Sequence, residues 1–174
     1  MLSESIKRKL AEKPFFARLL RYQFKPSDFL PHEKLYRGFK KADLPGDTGI
    51  LEGNHFTFPK KGGISCDWGR FAKPEDVRKR REDSKQDGCY SFTVEHARYN
   101  GKTSTCHDPC PEQNPQNYAH MEIRQLRPND DPFHEPPKDC KRLEKAADEW
   151  SKSYRLAYRE YISRQLTVEI EPLV

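Results

Sequence analysis

The sequence holds no apolar run approaching the roughly 20 residues that a membrane-crossing helix requires. Its opening stretch, MLSESIKRKLAEKPFFARLL, has no apolar segment of signal-peptide length. The expectation is a cytoplasmic chain with no membrane element. Apolar residues are scarce at 34%, and charged ones are as frequent at 34%, so the core must be small and much of the chain solvated. Net charge is slight: 32 basic against 27 acidic side chains leave +5. That falls short of the positive field on which non-specific nucleic-acid binding relies, so nucleic acid is only weakly supported as a partner. The five cysteines are an odd count without an export signal, which favours reduced thiols over a disulfide framework. Several chemical fingerprints are missing too: the phosphate-cradling P-loop, the Gly-x-Ser-x-Gly elbow, the His-Glu-x-x-His zinc helix and the dinucleotide glycine motif. His55-Phe56-Thr57 has the His-x-Thr form of two-histidine phosphoesterases, but that family needs a second copy.

What is present describes a folded domain. A chain of 174 residues fits one core, and its 10 Phe, 8 Tyr and 2 Trp are too many for a disordered segment. Residues 3 to 24 read as helical, with Ile6, Leu10, Phe16, Leu19 and Leu20 at three- and four-residue steps and Pro14 splitting the run in two. Strand signals follow at 34 to 39, 55 to 58, 64 to 68, 89 to 94, 104 to 107 and 119 to 126. Lys73 to Arg80, with Pro74 and acids first, reads as a short polar helix. A proline-rich connection covers 128 to 137. From 139 to about 166, Leu143, Ala147, Trp150, Tyr154, Ala157 and Tyr161 mark one face of a long helix. The fold class is therefore α+β: a single domain over 1–174, with N-terminal helices, a small curved, mainly antiparallel sheet over 34–126, and a long C-terminal helix packed on it.

Four places carry polar groups that a core alone does not ask for. Arg37, in Tyr36-Arg37-Gly38, can grip a phosphate in bidentate fashion or pair with a carboxylate at a strand edge. Ser65 and Asp67 share one face of a strand with Trp68 opposite, so that face is either wet or part of a site. Thr105-Cys106-His107-Asp108-Pro109-Cys110 contains a Cys-x-x-x-Cys pair that supplies two of the four donors of a structural zinc. No second knuckle completes the set, and a turn at Asp108-Pro109 is the stronger reading. His120 and Glu122 lie on one strand face, where an imidazole can act as acid or base and a carboxylate can orient it. The run Arg78-Lys79-Arg80-Arg81 reads as a solvated face.

The set Leu35-Tyr36-Arg37-Gly38-Phe39, Ser65-Cys66-Asp67-Trp68 with Pro74-Glu75, His107-Asp108-Pro109 and Asn117-Tyr118-Ala119-His120 resembles a group of small bacterial proteins of unassigned function. This likeness spans about 34 to 126 and implies a polar signature of Arg37, Asp67, His107 and His120 drawn together from separate strands. A more distant resemblance is to the Arg-Ser-Glu class of ADP-ribosyltransferases, whose order of Tyr-Arg-Gly strand, serine strand and glutamate strand is matched here. It implies that Arg37 holds the phosphates of NAD, Ser65 orders the nicotinamide ribose, and Glu122 stabilises the forming oxocarbenium ion. The departures are Ser65-Cys66-Asp67 in place of Ser-Thr-Ser, and His120 two residues before Glu122 in place of Glu or Gln. The expectation is an NAD- or nucleotide-handling enzyme of bacterial toxin or defence type, with His120, Glu122, His107 and Asp67 catalytic and Arg37 and Ser65 holding the nucleotide. The alternatives are a non-enzymatic module that docks on a protein partner, and a nuclease built on His107, Asp67 and His120.

Overall fold

The structure, a computed structural model, describes residues 3–40, 56, 63–79, 88–110, 117–126, 131, 133 and 148–171. The N-terminal region forms two helices, α1 (Glu4–Ala11) and α2 (Pro14–Leu20). Ser3 caps the first, its hydroxyl accepting from the Ile6 N–H at 3.4 Å. Pro14 opens the second, where its missing N–H costs nothing. Arg21 ends α2 in the left-handed region with φ 49°, and Ala11 and Ala17 are buried.

The sheet has six strands: β1 (Lys34–Phe39), β2 (Ile64–Trp68), β3 (Gly88–Thr93), β4 (Thr103–His107), β5 (His120–Gln125) and β6 (Thr167–Ile170). Their order is β4-β5-β2-β1-β3-β6, and every described pairing is antiparallel. Three further helices are α3 (Pro74–Lys79), α4 (Val94–Ala97) and α5 (Asp148–Ser163).

Register and alternation together assign the two faces. Leu35 lies opposite Trp68 and Phe92, and Cys66 and Ile64 lie opposite Met121 and Ile123, so these side chains share one face. All of them are buried. On that core face Phe29 stacks on Trp68 with ring centroids 4.0 Å apart, and Phe24 meets Trp68 edge-on at 5.1 Å. Residues between the N-terminal helices and β1 thus cover the centre of the sheet. Full burial of each such large side chain contributes about 1.5–3 kcal/mol. The other face carries Lys34, Tyr36, Ser65, Asp67, Ser91, His120, Glu122 and Arg124; Val77 of α3 packs against Gly38 there, at the 3.5 Å contact a Cβ on that glycine would make.

Most predicted elements are present within a residue or two. Two are additional: α4, whose cap is the Thr93 hydroxyl accepting from the His96 N–H at 3.2 Å, and β6, which pairs with the edge of β3. The C-terminal helix, expected over 139 to about 166, is described from Asp148. It ends at Ser163, and 139–147 lie outside the described residues. Its phase also differs: Tyr158 and Ile162 are buried while Ala157 is exposed. Of the strand expected at 55 to 58 only Phe56 is described, buried against Tyr90 and Phe92. The connection from 128 to 137 falls outside the described residues except at 131 and 133.

Candidate functional site

On the outer face, Asp67 of β2 lies directly opposite His120 of β5, and Ser65 lies opposite Glu122. Antiparallel pairing places such partners within side-chain reach of each other. The four groups therefore form a quadrilateral on two adjacent strands, with Tyr36 opposite Asp67 on its other side. Ser65 is exposed, His120 and Glu122 are half-buried, and Asp67 is buried.

The chain fixes each of these groups through a specific neighbour. His120 Nδ1 lies 2.5 Å from the Asp108 carbonyl oxygen. A carbonyl only accepts, so Nδ1 is the donor, and Nε2 is the ring nitrogen left for other partners. Asp67 Oδ1 accepts from Asn117 Nδ2 at 2.7 Å. The Asn117 Oδ1 is buried with no hydrogen-bond partner among the described residues, which leaves an acceptor beside the carboxylate. Glu122 is held by Arg124, whose Nε donates to its Oε2 at 2.7 Å, and the same guanidinium reaches Asp108 at 3.2 Å. Burial opposes the charge of Arg124, but Cys106, Glu122 and Asp108 outweigh it and hold its pKa above the ordinary value. Among the described residues, Asp67 lies opposite His120, and Glu122 and Asp108 share the guanidinium of Arg124.

Two of the six residues proposed from sequence are not in this group. Arg37 alternates with Leu35 and Phe39 and so lies on the core face, opposite Tyr90. The β1–β2 ladder stops after Leu35–Trp68 and Tyr36–Asp67, and beyond it the Arg37 guanidinium donates to the Ser65 carbonyl. Arg37 thereby supplies a hydrogen bond where the ladder ends, with Cys66 and Tyr90 as its other neighbours. His107 is fully enclosed, with Phe24, Phe71 and Tyr118 around it. Its Nδ1 accepts from the Phe24 N–H at 3.2 Å and its Nε2 is 2.8 Å from the Tyr118 carbonyl. Both nitrogens are committed, and His107 ties the N-terminal segment to β4. The single cleft expected for Arg37, Ser65, Asp67, His107, His120 and Glu122 is thus divided between two faces.

Cys66 and Cys89 are not poised for nucleophilic chemistry. Burial pushes Cys66 up to about 12 and, with the Asp67 carboxylate, does the same to Cys89, so both remain protonated. Cys110 Sγ points to the Asp108 carbonyl at 3.7 Å. Among the described residues no group of three or more His, Cys, Asp or Glu side chains is arranged to hold a metal ion. Arg124 and Asn117 escaped the sequence reading. The signal for Arg124 was its i+2 spacing from Glu122, which places both on one strand face. Asn117 lies on an isolated bridge to Cys110, and nothing in its sequence context points to Asp67.

The fold and site define an α+β protein with a histidine–carboxylate group on the outer face of an antiparallel sheet. No family model matches the chain, and neither a curated protein nor a solved structure matches it.

Proposed function

We propose that this chain cleaves the N-glycosidic bond of an NAD-type nucleotide on the outer sheet face, in the manner of an ADP-ribosyltransferase or the corresponding hydrolase. The observation that carries this reading is the acidic quadrilateral of Ser65, Asp67, His120 and Glu122. As neutral nicotinamide departs with the bonding electron pair, the positive charge of its pyridinium ring passes to the ribose, and carboxylates fixed beside the ribose favour that transition state. Glu122, braced by Arg124, is the group assigned to the oxocarbenium ion. His120 Nε2 takes the proton from the incoming water or acceptor hydroxyl, and Ser65 contacts the ribose.

Against the nuclease alternative stands His107, one of its three residues, which is enclosed in the core with both ring nitrogens engaged. The reading also departs from the resemblance in one respect. Arg37, on the opposite face, does not grip the nucleotide phosphates, so that role falls to no residue of the quadrilateral.

The test is incubation of the purified protein with NAD, following nicotinamide release by chromatography. Release is expected from the native chain. Glu122→Gln should lower it at least about a hundredfold and His120→Gln by roughly 10²–10⁴, with circular dichroism showing that each variant keeps the fold. Absence of release together with absence of NAD binding would retire the proposal, as would full activity in the Glu122 variant.

A further inference from the structure

The first 25 residues contain seven Lys or Arg and two acidic residues. The other 149 residues therefore carry 25 of each sign, and the net charge of +5 resides in residues 1–25, of which α1 and α2 with their connection hold +3. This basic segment also exposes large apolar side chains: Phe15 is 71% accessible, Leu19 67% and Ile6 47%. Phe15 and Leu19 stand four residues apart on α2 and share its outer side. Lys9 and Lys13 are exposed as well, with no ion pair among the described residues. Arg8 is paired with Asp28 at 2.6 Å, and Arg18 donates to the Phe71 carbonyl at 2.6 Å. Those two contacts fasten the helices to the body of the protein and leave the apolar side turned outward.

We infer that the α1–α2 hairpin is a docking surface for an anionic lipid membrane, on which Phe15 and Leu19 enter the headgroup region while Lys9 and Lys13 meet the lipid charges. Apolar side chains among basic ones on a short amphipathic helix are the combination that lies in an interfacial plane. Nucleic acid offers the charge but no apolar layer for a Leu side chain. A protein partner of ordinary kind demands a contiguous complementary patch of about 800 Å² a side, whereas the hairpin presents isolated apolar side chains among cations. Contact of this type needs no spanning helix, and no helix among the described residues is long and apolar enough to be one.

The full chain would be sedimented with vesicles of phosphatidylcholine containing 30% phosphatidylserine, a composition of about the charge of a cytoplasmic leaflet, and with vesicles of phosphatidylcholine alone. Binding to the anionic vesicles only, weakened by salt, is the expected result. Lys9→Gln with Lys13→Gln should reduce it roughly twentyfold, since each basic side chain near such a surface contributes on the order of fivefold. Phe15→Ser with Leu19→Ser should reduce it about tenfold or more, while circular dichroism confirms that the fold is kept. The inference is overturned by no binding, by equal binding to neutral vesicles, by unchanged binding in either double variant, or by a short DNA duplex that competes the protein off the vesicles.

Discussion

His107 and His120 occupy opposite faces of one sheet, and their surroundings give them opposite chemistry. His120 is half-buried and engages the Asp108 carbonyl through Nδ1. His107 spends both nitrogens inside an aromatic cage, and burial lowers its pKa from 6.5 to about 4. In the unfolded chain the same imidazole protonates near 6.5, so as pH falls the unfolded state takes up the proton first. The contribution of His107 to stability is therefore complete above about 6.5, and it diminishes as pH falls toward 4. The full difference is on the order of 3 kcal/mol. Urea unfolding midpoints should decline between pH 7.5 and 4.5, and His107→Gln, which keeps a donor and an acceptor, should flatten that decline. An equal slope in the variant would contradict the assignment. The sequence identified both histidines as unusual, and it could not show which of them the core would enclose.

Elements whose cause is local were legible: the break at Pro14, the short helix led by Pro74, and the strands flanked by glycine and polar turns. β6 was not, because four residues of alternating Thr-Val-Glu-Ile become a strand only when the free edge of β3 pairs with them. The phase of α5 escaped for a related reason. Aromatic residues lie on several sides of that helix, and contact with Ala97 selects Tyr158, whose hydroxyl donates to the Ala97 carbonyl at 3.3 Å. At the same scale, Gly63 shows how tightly β2 is fitted to β5. A Cβ there would stand 2.5 Å from the Ile123 carbonyl oxygen and 2.9 Å from the Glu122 Cβ. Backbone cannot yield to such a contact, so Gly63→Ala should cost roughly 1–3 kcal/mol. It should also disturb the Ser65–Glu122 pair, so the thermal midpoint and nicotinamide release should fall together. A variant as stable and active as the native chain would show that the strands separate without penalty.

For the whole molecule, one aromatic-rich core joins the N-terminal segment, the sheet and α5. Tyr158 and Ile162 are fully buried in it, so α5 is part of the cooperative unit. Tyr158→Ala should destabilise the entire protein by about 3–5 kcal/mol, with one shifted unfolding transition. A second, separate transition would mean that the helix folds independently of the sheet. Charge also changes meaning at this scale: +5 spread over the chain excludes little, but +5 confined to the first 25 residues marks a surface.

The sequence by itself determined where the chain turns, which segments alternate and which residues share a strand face, because period-two geometry and the backbone limits of proline and glycine act over a few residues. Only the tertiary structure decided which faces of different strands meet. Strand register depends on contacts between distant segments, and a shift of one residue would move Asp67 and His120 to opposite sides.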